Sequence, residues 1–469
     1  MLKNFVLITA SGEGLPVALR AKQEGLNVVV GVVEDWKDTL TKDELAGYKP
    51  ENPIARKKRL ETYDGLLKKL PAQKVVDFLL QMEESRKQET FVYADMNYVL
   101  KFTSQLMNSG IPGIYFTEED RTLESDRNKA KEFVKKHYPD ISTGDVKEFS
   151  KVDDAKKDPE VSVFLDGEQG KQVMSALEQD KKLYEKGGFI LERKIKNALE
   201  FTPMICFYDG EVVFTDLDIE LKKKTAGDKS VTVGCASNLV FKTDPEDKIN
   251  KIAFPPIVYE MAKNRKGMFV IDASILIDPE TDERFFGEFC TRLGYDSFFT
   301  ELEMAGGVRN FFDAVVNKQN PFIYPFGVAV RLFNEDLNDK YPKMFAEGKE
   351  LSYDAEVEEH IWPMDVKDHK GKMVTVGYGR DLAVVTATGN DIEEAFDELY
   401  ELIEGEDAEE SYVLKGNDAD AKTVVPSENR VSFEDVEYRP KEDILSSEYP
   451  SSIINRFQYG VGNLYKYPE

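Results

Sequence analysis

The distribution of apolar and polar residues near the start of the chain predicts a parallel β-sheet. Residues 4–10 form an apolar, strand-like run, residues 15–23 have a helical pattern, and residues 27–33 form a second strand-like run. A strand, a helix and a strand in this order are typical of a unit whose two strands run parallel. The turn before the helix contains Gly12 and Gly14. We favour a tight turn that needs glycine over a phosphate-binding loop, because two glycines alone are weak support for such a loop.

A later pattern predicts a β-hairpin that carries acidic residues. Residues 269–277 are rich in β-branched and apolar side chains, residues 278–282 have the composition of a turn, and residues 284–292 form another strand-like run. Because successive strand residues point to opposite faces, a loop of about five residues would place Asp272 opposite Glu288. Two facing carboxylates repel unless a proton or a cation lies between them, and Mg²⁺ shared with nucleotide phosphates suits such ligands. The alternative is a solvated strand face with surface charges.

Three further patterns extend the prediction along the chain. Residues 204–208 and 211–215 flank an Asp-Gly pair, which is a strong hairpin signal. Residues 373–376 and 382–387 are predicted to form another strand pair around a glycine turn. Residues 392–403 carry an apolar stripe at helical spacing, which predicts a helix packed on the core.

Composition and charge exclude several classes of function. The chain has 469 residues, 41% of them hydrophobic, and a formal net charge of −26. This charge argues against a general binder of nucleic acid or of anionic membranes. No apolar run reaches the length of a membrane span, and the first ten residues do not resemble a signal peptide. The three cysteines show neither disulfide nor zinc-site spacing, so we expect a reducing, cytoplasmic location. The three histidines show no metal-ligand spacing.

Short motifs follow one another in a recognisable order over residues 1–403. They read LESDR (123–127), ILER (190–193), ALEFT (198–202), FYDG (207–210), KKKTAGD (222–228), GEFCTRLG (287–294) and GRDL (379–382). Their order and spacing resemble those of the ATP-grasp ligases, and among them of the phosphoribosylamine–glycine ligases. The resemblance implies an α/β and α+β fold of ATP-grasp architecture. It has an N-terminal Rossmann-like parallel-sheet domain, a central two-lobed ATP-grasp domain and a small C-terminal domain.

The resemblance also implies domain boundaries and an activity. The N-terminal domain would span residues 1–117, the ATP-grasp domain 118–324, the C-terminal domain 325–404, and an acidic linker with a C-terminal tail 405–469. The tail is rich in aromatic residues and prolines, so we expect it to pack on the body. The implied reaction is an ATP-dependent joining of a small-molecule carboxylate to an amine through an acyl phosphate, as in purine-nucleotide biosynthesis. A monomer or a small homo-oligomer is expected.

The resemblance assigns roles to individual residues. Arg292 and Glu288 would be catalytic, and Asp272, Glu288 and Cys290 would lie at the Mg²⁺ ion. Residues that would bind ATP are Arg127, Lys171, Glu192, Arg193, Lys194, Ile195, Glu200, Lys222 and Lys223.

Two departures from the motifs leave an alternative open. Phe164 stands where the family has a phosphate-binding lysine, and a phenyl ring cannot donate a hydrogen bond to a phosphate. Cys290 stands where the family has an asparagine ligand, and a thiol is a poor partner for Mg²⁺. The alternative is therefore a degenerate ATP-grasp protein that serves as a nucleotide-binding or structural subunit.

Overall fold

A computed structural model describes residues 1–40, 45, 48–144, 146–157, 189–192, 198–224, 232–334, 347–353, 355, 357–379, 381–404, 436–449 and 452–468. The strands are β1 Asn4–Thr9, β2 Asn27–Val32, β3 Lys69–Pro71, β4 Thr90–Ala94, β5 Val146–Phe149, β6 Phe189–Glu192, β7 Leu199–Tyr208, β8 Glu211–Lys223, β9 Thr232–Thr243, β10 Met268–Ile277, β11 Arg284–Cys290, β12 Phe326–Asn334, β13 Ile361–Pro363, β14 Val366–His369, β15 Lys372–Thr375, β16 Asp381–Gly389 and β17 Val436–Glu437. The helices are α1 Leu15–Gln23, α2 Pro53–Glu61, α3 Ala72–Leu80, α4 Glu84–Lys87, α5 Leu100–Thr103, α6 Glu118–Ser125, α7 Arg127–His137, α8 Val152–Lys157, α9 Lys248–Ala253, α10 Pro256–Ala262, α11 Tyr295–Met304, α12 Val308–Val316, α13 Ile392–Glu404, α14 Lys441–Leu445 and α15 Ile453–Gly460. Short 3₁₀ turns lie at Trp36–Thr39 and Asn97–Val99.

The first sheet is parallel and has the strand order β3-β2-β1-β4. Strand β1 pairs in parallel with both β2 and β4, which confirms the predicted strand–helix–strand unit. Helix α1 begins after a turn in which Gly12 has a φ of 98°, a left-handed conformation that favours glycine. The turn therefore needs this glycine for a conformational reason, as the sequence indicated.

The second sheet is antiparallel and has nine strands within the described residues. Its order is β11-β10-β7-β8-β9-β12-β16-β13, with β17 paired to β12 at the side. The two predicted hairpins, β7–β8 and β10–β11, are confirmed. Strand β9 lies before the predicted domain boundary at residue 324 and β12 lies after it, yet the two strands pair in one sheet. The division of the chain into four parts stays a prediction.

One predicted strand pairing is wrong. Strand β15 pairs with β14 rather than with β16, and β16 lies between β12 and β13 in the large sheet. Most of β16 is buried, so it needs a paired neighbour along both edges, whereas β15 begins at the exposed Lys372. The need to bury β16 within the sheet, rather than the glycine turn between β15 and β16, therefore decides which strands pair.

Aromatic side chains join the first sheet to the helices beside the second. The ring of Phe312 on α12 lies 4.1 Å from that of Phe91 and 5.7 Å from that of Phe5, centroid to centroid. Phe298 on α11 lies 5.4 Å from Tyr93. Because α11 follows β11 closely along the chain, this contact holds the end of the second hairpin close to β4 of the first sheet.

The tail packs on the body where it is described, as expected. Helix α15 lies against β8, and the buried guanidinium of Arg456 donates to the backbone oxygens of Glu200 at 3.1 Å and Glu220 at 2.7 Å. The predicted acidic linker lies mostly outside the described residues. No helix in the described part combines the length and apolar character needed to cross a bilayer.

Candidate functional site

A cavity of about 500 Å³ opens between the turn after β1, the strands β8, β10 and β11, and helix α11. Nine acidic and three basic residues are among those that line it. The acidic residues are Glu13, Asp216, Asp218, Glu220, Asp272, Glu288, Asp296, Glu301 and Asp381, and the basic ones are Lys222, Arg292 and Arg331. The four residues at which the sequence placed catalysis and metal binding, Asp272, Glu288, Cys290 and Arg292, all line this one cavity.

The pairing within the second hairpin differs from the prediction. Asp272 lies opposite Cys290, and the register shifts between Ala273 and Ile275. Gly287 and Glu288 together face Ser274, which makes a β-bulge. A Cβ on Gly287 would lie 2.4 Å from the Ser274 hydroxyl oxygen, so the bulge requires glycine there. The predicted opposition of Asp272 and Glu288 is therefore wrong, because the loop is longer and the bulge shifts the register again.

Glu288 lies within β11, and its side chain is at the exposed rim of the cavity. Its side chain is 56% exposed and accepts a hydrogen bond from the Arg127 guanidinium at 3.0 Å. The structure thus brings together two residues that the sequence assigned to metal and phosphate. An exposed pair of this kind contributes little to stability, so either partner can exchange it for a ligand at small cost.

In contrast to Glu288, Asp272 is buried. Its residue is 9% exposed, and burial raises the pKa of its carboxyl well above the ordinary value, against the opposing effect of Arg292. Glu124, Glu220 and Glu288 add to the rise because their negative charges lie nearby. Without a cation at this point, the Asp272 carboxyl therefore holds its proton to a higher pH than an exposed aspartate.

Arg292 is held in place by a residue that the sequence analysis left without a role. Its Nε donates to Glu124 at 3.0 Å, and its guanidinium carbon lies 4.2 Å from the centre of the Tyr295 ring. Glu124 belongs to α6 and also accepts hydrogen bonds from Asn97 and Thr291. The LESDR motif contains Glu124, so the resemblance marked the right segment without identifying this function.

Glu200, predicted to contact the nucleoside, and Lys222, predicted to neutralise phosphate, form a pair with each other. The Lys222 ammonium donates to Glu200 at 2.8 Å, and the Ser274 hydroxyl donates to the same oxygen at 2.6 Å. Burial would raise the pKa of Glu200, but the charge and hydrogen bond of Lys222 outweigh it, so that pKa is lowered. Lys222 lines the cavity, whereas the next residue along the strand, Lys223, does not.

The residues present fit Mg²⁺ in part. Asp272 and Glu288 offer carboxylate oxygens to the same cavity, as a hard cation prefers. The Cys290 thiol does not fit, because burial raises its pKa well above the ordinary value and keeps it neutral. The described residues contain no group of three or more His, Cys, Asp or Glu side chains arranged to hold a metal ion. A Mg²⁺ ion here would take its other ligands from phosphate oxygens and water.

Several predicted residues cannot be placed in this site. Lys171, Arg193, Lys194 and Ile195 lie outside the described residues, as does Phe164. Glu192 ends β6, which pairs with β5, but its side chain is not described. The assignments of these residues to ATP stay predictions.

A stripe of acids on β8 went unrecognised in the sequence. Asp216, Asp218, Glu220 and Lys222 alternate with apolar residues along TDLDIELK, so that the polar residues share one face. All four line the cavity. The period-two alternation of TDLDIELK is the sequence signal for this surface.

Comparison with known proteins shows where this fold occurs. No protein-family model and no curated protein sequence matches the chain. Its structure is similar to that of phosphoribosylamine–glycine ligase from Thermotoga maritima, with a TM-score of 0.57 and 16% identity over 93% of this chain and 99% of that one. It is also similar to a biotin carboxylase from Campylobacter jejuni, solved as a βγ-ATP complex, with a TM-score of 0.51 and 14% identity over 85% and 90% of the two chains. The chain has the ATP-grasp architecture and is distantly similar to phosphoribosylamine–glycine ligase.

Proposed function

We propose that this chain is an ATP-dependent carboxylate–amine ligase of the ATP-grasp type. The observation that supports this most is the meeting of Asp272, Glu288 and Arg292 in one cavity beside the N-terminal sheet. In a reaction at a triphosphate, carboxylates hold the metal ion, and a guanidinium stabilises the negative charge of the transferred phosphoryl group. The fold is shared with a protein whose structure was solved as a βγ-ATP complex, which agrees with a nucleotide at this site.

The roles of the residues follow from their positions. Asp272 and Glu288 would hold Mg²⁺, which when bound neutralises negative charge on the phosphates. Arg292, fixed by Glu124, would bind the negative charge of the transferred phosphoryl group or of the acyl phosphate. Arg127, now paired with Glu288, would turn to the phosphates when a cation takes its place beside that carboxylate.

The chemistry has two balanced steps. A carboxylate oxygen of the acid substrate attacks the γ-phosphorus of ATP, the bond to the β-phosphate bridging oxygen breaks, and ADP leaves. The neutral nitrogen of the amine then attacks the carbonyl carbon of the acyl phosphate, inorganic phosphate leaves, and the nitrogen loses a proton. The protein contributes by positioning the reactants and by neutralising charge.

The finer assignment is to a reaction of the purine-biosynthetic kind. Glycine and phosphoribosylamine, the pair named by the Thermotoga maritima enzyme, are the first substrates to assay. Small-molecule substrates, the absence of a nucleic-acid or membrane partner, a monomer or small homo-oligomer and a cytoplasmic location belong to this proposal.

A second candidate is a nucleotide-binding protein without turnover. It is favoured by the neutral Cys290 thiol, which stands opposite Asp272 where a metal ligand would be expected. This candidate shares nucleotide binding with the ligase and differs from it only in the chemical step.

Thermal unfolding with and without ATP and Mg²⁺ tests the proposal. A ligand at a hundred times its dissociation constant stabilises the folded state by about 2.7 kcal/mol, which is an easily measured shift. No shift at millimolar nucleotide would defeat both candidates. A shift without release of ADP in the presence of mixed carboxylates and amines would favour the second candidate over the ligase.

A further inference from the structure

Three of the most buried carboxyl groups in the cavity have no use in the proposed chemistry. We name Asp216 and Asp218 of β8 and Glu301 of α11 the acidic floor. Their residues are 1%, 6% and 1% exposed, and all three line the cavity. One oxygen of each, Oδ2 of Asp216, Oδ1 of Asp218 and Oε2 of Glu301, is shielded and accepts no hydrogen bond within the described part of the chain.

The basic residues of the cavity do not neutralise the acidic floor, because each already has a carboxylate partner elsewhere. The positive charge of Arg456 in the tail lowers the pKa of Asp218, but this does not offset the effect of burial. The guanidinium of Arg456 donates its hydrogen bonds to backbone oxygens. Within the described residues, the acidic floor forms no ion pair. Lys222 pairs with Glu200 at 2.8 Å and with Glu220 at 3.9 Å, and Arg292 pairs with Glu124 at 3.0 Å. Arg331 pairs with Asp296 at 2.5 Å and with Asp381 at 3.1 Å.

Such an arrangement is costly in the absence of a ligand. A buried carboxyl oxygen without a donor loses its hydration and gains nothing in return, and burial raises the pKa of all three groups well above the ordinary value because no cation offsets the lost hydration of their negative charge. Three such groups around one cavity therefore point to a ligand that brings positive charge and several N–H donors. The cavity volume of about 500 Å³ suits a small organic molecule.

An extended organic cation fits better than a metal ion. The described residues hold no group of three acidic, His or Cys side chains arranged around one point, as a metal ion would require. Carboxyl groups contributed by a strand and by a helix can instead contact separate N–H groups of one ligand. An ammonium or guanidinium group offers its donors in several directions.

We propose that Asp216, Asp218 and Glu301 bind a positively charged nitrogen of the amine substrate, and that this substrate is a diamine or polyamine. The inference rests on the proposed ligase function. A nitrogen held as ammonium has no lone pair and cannot attack the acyl phosphate, so a second, neutral nitrogen must be the nucleophile. That nitrogen would face Arg292, which is proposed to bind the acyl phosphate. If this inference holds, the finer purine-biosynthetic assignment fails, because the same carboxyl groups would repel the phosphate of phosphoribosylamine.

Calorimetric titration of the full chain tests this assignment. The probes are putrescine and spermidine, with n-butylamine as the matched monoamine and MgCl₂ alone as the metal. Asp218→Asn and Glu301→Gln remove one charge each and preserve shape, and Glu280→Gln makes the same kind of change on an exposed turn. Far-ultraviolet circular dichroism confirms that each variant folds.

We expect putrescine or spermidine to bind more tightly than n-butylamine. Either floor variant should weaken that binding by about tenfold or more, since a hydrogen bond to a charged group is lost. Glu280→Gln should leave it unchanged. The inference is overturned if no di- or polyamine binds, or if the floor variants bind these amines as the wild type does. It is also overturned if Mg²⁺ alone fills the site and is lost in the same variants.

The nucleotide experiment separates this inference from the proposed function. Stabilisation by ATP and Mg²⁺ should persist in Asp218→Asn and Glu301→Gln, because neither residue is assigned to the nucleotide. Nucleotide stabilisation without diamine binding would overturn only the diamine assignment. Diamine binding without any effect of nucleotide would instead defeat the ligase.

Discussion

The Nε atom of Arg292 donates to Oε1 of Glu124 across a distance of 3.0 Å, which ties the end of the acidic hairpin to helix α6. The other oxygen of Glu124 accepts from Asn97 at 2.7 Å and from the Thr291 backbone at 3.1 Å. One carboxylate thus fixes both the guanidinium that faces the cavity and the backbone that carries it. Glu124 is a positioning residue for Arg292.

The variant Glu124→Gln tests this role. Glutamine has one acceptor oxygen in place of two, so it can serve Arg292 or the pair Asn97 and Thr291 but not both, and it no longer carries the charge that pairs with Arg292. We therefore expect the free energy of unfolding to fall by about 1–3 kcal/mol. ADP release should fall mainly through kcat, because Arg292 loses its orientation toward the reacting group. Glu132→Gln on the exposed side of α7 serves as the control. Equal loss of stability in both variants, with unchanged kcat, would remove Glu124 from this role.

Glu288→Gln should abolish turnover while the fold stays intact. The side chain is 56% exposed, so its replacement should change the free energy of unfolding by no more than about 0.5 kcal/mol. Turnover should be lost because glutamine is a weaker Mg²⁺ ligand than a carboxylate. ADP release and urea denaturation are the two measurements, with Glu280→Gln as the matched control. Retained turnover would remove Glu288 from the mechanism.

Cys290→Asn should lower the Mg²⁺ concentration needed for nucleotide binding. Position 290 faces Asp272 across the hairpin, and an amide oxygen there is a better ligand for a hard cation than a neutral thiol. Titration of Mg²⁺ at fixed ATP, followed by thermal unfolding, measures the effect. Cys290→Ala removes the thiol without supplying oxygen and should leave the Mg²⁺ requirement unchanged. The same improvement in both variants would show that metal ligation is not the cause.

Gly287→Ala should destabilise the protein through the β-bulge. The new Cβ would lie 2.4 Å from the Ser274 hydroxyl oxygen and 2.9 Å from its carbonyl oxygen. We expect a loss of about 1–3 kcal/mol in urea denaturation, as is usual for overpacking. Gly379→Ala is the control, because the nearest atom that its Cβ would meet among the described residues is the Asp381 backbone nitrogen, at 3.9 Å. A neutral Gly287→Ala would mean that the bulge rearranges freely.

Asp365 makes stability depend on pH in a predictable direction. Burial raises its pKa to about 7, against the backbone hydrogen bonds that Tyr378 and Gly379 donate at 2.7 and 3.0 Å. The folded state therefore keeps a proton that the unfolded chain has lost between about pH 4 and 7. Over that window the free energy of unfolding falls as the pH rises, by up to about 4 kcal/mol from this group.

The variant Asp365→Asn isolates this contribution. Asparagine keeps a carbonyl oxygen for both backbone donors and tolerates the positive φ of 43° at this position. Urea denaturation of both proteins at several pH values gives the difference. We expect the wild type to lose stability relative to Asp365→Asn as the pH rises toward 7. A constant difference across the window would contradict the raised pKa.

The sequence alone determined the local elements that short-range periodicity controls. The strand–helix–strand unit at residues 4–33, the hairpin at the Asp-Gly turn and the apolar stripe of α13 are confirmed. In each case the spacing of apolar residues or a turn of defined chemistry sets the structure within a few residues. The motif order was also sufficient to identify the ATP-grasp architecture, because it reflects the order of whole elements.

Only the tertiary structure decided which residues of paired strands lie opposite each other and which distant side chains meet. The opposition of Asp272 and Cys290 depends on a bulge, and the bulge depends on how closely Gly287 meets Ser274 in the packed sheet. The acidic floor combines two residues of β8 with Glu301, which lies some eighty residues further along the chain. Contacts at such separation are selected by burial in the folded sheet and leave no local periodic signal, so sequence patterns cannot specify them.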